Sequence, residues 1–267
     1  MTSTPFPVSS TVPPPSDMPA PPALSVVIPV HDESGAILPL LTEIAATLGG
    51  QVDYEILVVD DASRDGTAAE LANAVRFLPR LRVLTHRRRC GQSAALASGI
   101  RAARAAWVAT LDGDGQNDPG DVLALWHQLG AATPTERPAM LCGIRQERHD
   151  RWSKRFASRV ANRVRRRALG DEVADTGCGL KLIRRDLFLR LPAFDHMHRF
   201  LPALALARGA RVETAPVSHR PRRAGRSKYG ILDRLAAGVV DLAGVWWLNR
   251  RRLAAELLPA TEPEVAP

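Results

Sequence analysis

Four apolar runs, at residues 24–30, 54–59, 81–85 and 107–111, each pass into a polar loop and then into a helix-like stretch. Short runs rich in Val, Ile and Leu read as strands buried on both faces. Strands that alternate with helical segments build an open, mostly parallel sheet. Each polar loop then stands at the carboxyl end of its strand. Open parallel sheets bind ligands outside those ends, so the four loops line one crevice.

The loop after the fourth run carries the most chemistry. It reads Asp112-Gly-Asp-Gly-Gln-Asn-Asp118. On an extended backbone the alternating side chains of Asp112, Asp114 and Gln116 point the same way. Two carboxylates and an amide oxygen are hard ligands suited to Mg²⁺ or Mn²⁺. The intervening Gly113 and Gly115 let the backbone bend and a ligand approach closely. A cation at a strand end suits a bridge between protein and diphosphate, where it neutralises charge on a leaving nucleotide. A plain Asp/Gly-rich turn is the alternative. A calcium loop of EF-hand type fits worse, because its sixth position is Asn117 and its twelfth Leu123.

Three further loops accompany this one. They are Val27-Ile-Pro-Val-His-Asp-Glu33, Val58-Val-Asp-Asp-Ala-Ser-Arg-Asp-Gly-Thr67 and Gly91-Gln-Ser-Ala-Ala-Leu96. With these four motifs in this order, residues 24–230 resemble the family 2 glycosyltransferases, and within them the dolichyl- or polyprenyl-phosphate sugar transferases. The resemblance implies a GT-A-like α/β domain, a Rossmann-type mostly parallel sheet with helices on both faces. It also implies inverting transfer of a sugar from a UDP- or GDP-sugar to a polyprenyl phosphate, with Mg²⁺ or Mn²⁺, in cell-envelope glycan assembly. Pro29, His31, Glu33, Asp60, Asp61, Gln92 and Asp112 then fall among the nucleotide-sugar contacts, with the family's Tyr-Asn pair replaced by His31-Asp32. Asp112 and Asp114, with Gln116 assisting, are the expected metal ligands.

The second half supplies the acceptor side. A strand over 139–142 leads to Gly143-Ile-Arg145, and a glycine-broken loop runs from Asp175 to Lys181. A basic segment, His219-Arg-Pro-Arg222 and Gly225-Arg-Ser-Lys-Tyr229, follows. The resemblance places Arg145, Arg222, Ser227 and Lys228 at the diphosphate or acceptor phosphate, with Asp112, Asp114, Arg145, Arg222 and Lys228 as the catalytic set. Guanidinium forks suit phosphate oxygens. A phosphate acceptor is already anionic near neutral pH and needs no general base, whereas a hydroxyl acceptor does. Asp175 is the reserve base for a saccharide or lipid-linked sugar hydroxyl, the alternative substrate class. No Q-x-x-R-W motif of processive relatives is present.

Charge and composition bear on the surroundings. The net charge is +8, and Arg151, Arg155, Arg159 and Arg163 recur every four residues, which on a helix makes one basic stripe. A non-catalytic basic module binding membrane or nucleic acid is the rival class. Nucleic acid is disfavoured, since the chain carries no helix-turn-helix, zinc-finger or base-stacking signature. An anionic membrane or a lipid phosphate fits better. Ile231, Leu235, Val239, Leu242 and Trp246 share a helical face, and Trp246-Trp247 precedes Arg250-Arg-Arg252. With Asp233 and Asp241 interrupting the run, it reads as an amphipathic interfacial helix over 231–252. Packing of that helix on the domain, on a second copy or on a membrane-protein partner is the alternative. Residues 1–22 read as a disordered Pro-rich arm, 23–230 as the catalytic domain and 253–267 as a disordered tail. No signal peptide and no 18-residue apolar run is present, and Cys90, Cys142 and Cys178 read as buried, reduced thiols. The expected location is cytoplasmic, peripheral on the inner face of the membrane.

Overall fold

The computed structural model describes residues 20–146, 165–171, 173, 175–221 and 231–251. Arg222, Ser227, Lys228 and the stripe from Arg151 to Arg163 lie outside the described residues. So do residues 1–19 of the arm and the tail.

Seven strands form one sheet in the order β3-β2-β1-β4-β6-β5-β7. The first half supplies β1 (Leu24–Val30), β2 (Tyr54–Asp60), β3 (Leu81–Thr85) and β4 (Trp107–Thr110), all mutually parallel. The second half supplies β5 (Met140–Arg145), β6 (Lys181–Arg184) and β7 (Val212–Val217). β6 runs antiparallel between β4 and β5, while β7 pairs parallel with β5. The sheet is therefore mostly parallel, as expected, with one reversed strand inside it.

Helices cover both faces because the strands bury both. In β1, Val26, Ile28 and Val30 join one core cluster and Val27 joins the other, the period-two alternation of a strand. The first cluster is closed by α1 (Ile37–Leu48), α2 (Thr67–Ala74) and α4 (Pro119–Ala131). α1 presents Ile37, Leu40, Leu41, Ile44 and Leu48 at helical spacing. α4 starts where Asp118 caps Gly120 N–H and Pro119 takes the first helical position. The second cluster is closed by α3 (Gln92–Ala102), the short helix Arg185–Arg190, the helix Leu201–Ala207 and part of the last helix, Ile231–Arg250.

The last helix differs from the expected stripe. Val245 is buried, Leu242 packs on the second cluster, and Asp241 turns inward to bond His196 Nδ1 at 2.9 Å. Val239, Val240, Trp246 and Trp247 face outward. The predicted face is therefore split, with Leu242 on the domain and Val239 and Trp246 in solvent. Among the described residues no helix is long and apolar enough to cross a membrane.

Candidate active site

The crevice opens where neighbouring strands diverge. β1 pairs with β4 only from Leu24 to Val27, but with β2 all the way to Val30. α3 carries the chain back across the sheet to β4 on the other side of β1, so the strand order reverses between them. Val27 O still accepts Leu111 N–H at 3.2 Å. Two residues on, Pro29 faces the same side, where the ladder has ended and its missing N–H breaks no bond. Gly113 closes the junction. A Cβ there would meet Val30 Cγ1 at 2.5 Å, so the metal-motif loop rests directly on the end of β1.

That loop turns instead of running extended. Asp114 Oδ1 accepts Gln116 N–H at 3.0 Å, and Gly115 has φ +73°. The expected alternation of three ligands therefore does not hold. Gln116 donates its side-chain amide to the backbone carbonyl of Arg220, 3.3 Å away, and the backbone carbonyl of Gln116 accepts Arg220 N–H at 2.9 Å. It binds the segment after β7 to the loop. Arg220 extends this brace with ion pairs to Glu43 at 2.6 Å and Asp118 at 2.5 Å.

Asp112 and Asp114 do stand close enough to repel. Burial first, and then the Asp114 charge, push the Asp112 carboxyl up to about 6, against the pull of Lys181, Arg145 and a Gln92 hydrogen bond. Gln92 Nε2 donates to Asp112 Oδ1 at 2.9 Å. Gly179 lies against the same carboxylate: a Cβ there would sit 2.2 Å from Oδ2. Thr110 Oγ donates to Gly179 O at 2.6 Å and holds it in place. Two crowded carboxylates, one of them reluctant to ionise alone, match a divalent cation both in donor type and in charge.

The remaining groups arrange themselves around this pair. Arg145, ending β5, is clasped by Asp175 through Nε–Oδ2 at 2.7 Å and Nη2–Oδ1 at 2.8 Å. Both Asp175 oxygens are engaged by the guanidinium fork, so the reserve role as a base would require breaking it. A cavity of about 380 Å³ beside Asp112 is lined by Gln92, Thr176, Lys181, His198 and Arg199 among others. Lys181 is buried and its ammonium donates to Cys178 O. His198 packs on Ser93, whose hydroxyl accepts the His198 backbone N–H at 3.3 Å and lies 2.8 Å from Nδ1. Donation to Nδ1 satisfies that buried hydroxyl and leaves the ring proton on Nε2. Burial, and then Lys181 and Arg199, lower the His198 pKa to about 3, so the ring is neutral at physiological pH. Sequence reasoning passed over His198 and Arg199, which no local pattern joins to Asp112.

The nucleotide-side residues divide. His31 lines a second cavity, of about 600 Å³, with Asp32, Ala62, Ser63, Arg64, Arg87, Arg88 and Arg89. Its Nδ1 lies 2.9 Å from Asp61 O. Asp60 Oδ1 accepts Ser63 N–H at 3.0 Å, and Glu33 N–H donates to Thr67 Oγ at 2.9 Å. Asp61 faces inward. Its carboxylate takes His86 Nδ1 at 2.8 Å and the N–H groups of Cys90 and Gly91 at 2.7 Å each. Burial raises its pKa, but these bonds outweigh burial and hold it below the usual carboxylate range. Asp61 thus fixes the loop that starts α3. Asp61, His86 and Cys90 gather ligand atoms within 4.8 Å of one another, yet these hydrogen bonds already account for the grouping. Cys142 and Cys178 are buried as expected, whereas Cys90 is exposed at the rim of this loop.

Residues 25–191 match the family described as glycosyl transferase family 2. The chain belongs to that family. This family 2 glycosyltransferase is 34% identical over 235 residues to the dodecaprenyl-phosphate galacturonate synthase of Rhizobium johnstonii, covering 85% of this chain and 67% of that protein. It is 35% identical over 214 residues to the undecaprenyl-phosphate 4-deoxy-4-formamido-L-arabinose transferase of Edwardsiella ictaluri, covering 78% and 63%. The chain thus spans about two thirds of the length of these relatives. Glucosyl-3-phosphoglycerate synthase from Mycobacterium tuberculosis, solved with Mn²⁺, UDP and phosphoglyceric acid, superimposes with a TM-score of 0.65 at 20% identity, covering 88% and 80%. A Pyrobaculum calidifontis mannosyltransferase solved with GDP-mannose and Mn²⁺ gives 0.60 at 22%, covering 88% and 66%. The fold is that of the GT-A glycosyltransferases.

Proposed function

We propose that the chain transfers a sugar, with inversion, from a nucleoside diphosphate sugar to a polyprenyl phosphate. The observation that carries this reading is the crowded Asp112–Asp114 pair at the strand-order reversal, beside a monosaccharide-sized cavity. Both relatives named above act, by name, on prenyl phosphates. Asp112 and Asp114 hold a divalent cation, Mg²⁺ or Mn²⁺, which when bound neutralises charge on the departing diphosphate. Gln116 braces their loop. The cavity that includes His31 takes the nucleoside, and Gln92 steadies Asp112. Pro29, Glu33 and Asp61 shape the loops around it.

In one in-line displacement an acceptor phosphate oxygen bonds to the anomeric carbon. The bond from that carbon to the diphosphate oxygen breaks, and the electron pair leaves with the nucleoside diphosphate. Arg145, held rigid by Asp175, faces this region, and Arg222, Ser227 and Lys228 complete the acceptor set. No proton has to be removed from an ionised phosphate, which fits an Asp175 already committed to Arg145. Purified protein given a radiolabelled nucleotide sugar, Mn²⁺ and either undecaprenyl phosphate or a neutral saccharide should label the lipid. Label confined to the saccharide would replace the phosphate acceptor by a hydroxyl.

We further propose peripheral attachment to the cytoplasmic face of the membrane, and the outward face of the last helix supports attachment to a bilayer. Val240 is 72% exposed and Trp247 55%, and Arg250 stacks over Trp246 at 4.4 Å. Apolar side chains beside arginines suit an anionic bilayer surface. Val240→Ser combined with Trp247→Ser should weaken sedimentation with anionic liposomes by roughly tenfold or more, because each substitution removes apolar area. The inward face, with Val245 and Asp241, is untouched, so thermal stability should stay near wild type. Unchanged liposome binding would assign that face to a protein partner.

A further inference from the structure

The last helix is tied to the active site through His196. Its apolar contacts with the domain, Leu242 and Val245, hold it down without fixing its rotation, because apolar burial has no direction. Asp241 adds a directional bond, to His196 Nδ1 at 2.9 Å. His196 Nε2 lies 3.7 Å from Asp195 Oδ2, so the ring sits between two carboxylates.

His196 has an unusual backbone. Its φ of 62° and ψ of 6° are left-handed, a conformation that non-glycine residues rarely take. Asp195 Oδ1 accepts its N–H at 2.8 Å, and Arg199 N–H donates to its carbonyl at 3.0 Å. His196 thus starts the 3₁₀ turn Met197–Arg199. Left-handed non-glycine residues persist only where the surroundings fix them, and they concentrate at functional sites.

The turn hangs between two anchors. On one side His198 meets Ser93 of α3, and on the other His196 meets Asp241. A three-residue turn makes too few bonds of its own to set its orientation, so the anchors set it. His198 and Arg199 both line the cavity beside Asp112. Asp195 also lies against the start of α3, where a Cβ on Gly91 would be 3.5 Å from its Oδ1. The next residue, Gln92, donates to Asp112. Both routes from Asp241 therefore end beside the metal-motif loop. The two side chains are 34% and 18% exposed, so the pair adds little to stability. What it supplies is geometry.

We infer that His196 and Asp241 are a positioning pair for transfer. They carry the seating of the last helix to the cavity wall, so that a helix lying on a bilayer holds the turn with His198 and Arg199 in place. The inference rests on the transferase reading above. Neither residue lines the cavity, so their effect falls on turnover and not on nucleotide binding.

The test uses the full chain with Mn²⁺ and undecaprenyl phosphate in vesicles, and the best-used donor among UDP- and GDP-hexoses, hexosamines and hexuronates. His196→Ala and Asp241→Ala should each lower kcat at least ~10-fold, because small displacements of groups around a site carry into the rate. The double variant should be no slower than either single one, as expected of residues that act as a unit. His196→Asn keeps the left-handed tolerance and an N–H donor near the Nδ1 position, and should recover kcat to within about threefold of wild type. UDP and GDP affinity and sedimentation with the vesicles should stay within about twofold of wild type, because the nucleoside cavity and the outward helix face are untouched. Wild-type turnover of both alanine variants, or losses that multiply in the double variant, would overturn the inference and leave the transferase standing. Losses that follow vesicle sedimentation or unfolding at the assay temperature, and that His196→Asn shares, would make the pair merely structural and overturn it likewise. A wild-type chain that transfers from none of these donors would overturn the transferase reading and this inference together.

Discussion

Asp112→Asn and Asp114→Asn should each lower sugar transfer at least ~10²-fold, because each removes an anionic ligand from the cation that stabilises the leaving diphosphate. The substitutions are nearly isosteric, so the fold should persist. Asp112→Asn should even stabilise the metal-free protein, since burial and the Asp114 charge oppose ionisation of Asp112. The sign follows from its carboxyl being pushed up to about 6 in the folded chain, above an ordinary Asp. Its protonated form favours folding below pH 4, and that contribution is lost as pH rises through about 6. Metal reverses the trend, because the bound cation favours the ionised form. Below pH 6, protons and cation compete for Asp112, and apparent Mn²⁺ affinity should fall by up to about tenfold per pH step. Melting temperatures across pH 4–8, with EDTA and with Mn²⁺, check this. Curves that keep a constant separation over that range, together with near-normal turnover of both variants, would remove the cation from this site.

Gly179→Ala is expected to be nearly as damaging by a different route. The added methyl would lie 2.2–2.6 Å from the carboxylate atoms of Asp112. Gly179 has no positive φ, so alanine suits its backbone, and the short Asp112 side chain is what has to swing away. Swinging it misplaces a metal ligand while leaving the core intact. Transfer should drop by about 10²-fold and the Mn²⁺ requirement should rise, with a melting temperature in EDTA close to wild type. Two residues earlier, Gly177→Ala meets nothing nearer than 3.6 Å and should cost far less. Equal, mild effects of the two substitutions would show that the Asp112 carboxylate has room to move.

Much of the first half was legible because its signals are local. The apolar runs mark β1 and β3 at both ends, with β2 one residue longer and β4 one residue shorter than the runs predict. The discrepancy at β4 arises where Leu111 still bonds Val27 while the chain begins to turn. Aspartates after apolar runs were readable as lying on one rim because a parallel strand always delivers its carboxyl end there. The extended alternation behind the D-x-D-x-Q reading is absent because the loop turns, with Asp114 bonding the backbone two residues on. The last helix was readable as amphipathic, but periodicity does not say which arc of the helix meets the domain. His196, paired with Asp241, settles that here.

The sequence by itself determined the βα alternation, the rim on which the four loops gather, the Asp112–Asp114 pair and the family. Only the tertiary structure decided what surrounds that pair. Thr110 reaches Gly179 across 69 positions, and Ser93 reaches His198 across 105. β6 reverses direction to place Lys181 opposite Thr110, and Arg145 is turned onto Asp175. Such contacts leave no periodic trace. Hydrophobic pattern records which face of an element is buried, whereas a polar side chain's partner depends on how distant segments close the same sheet.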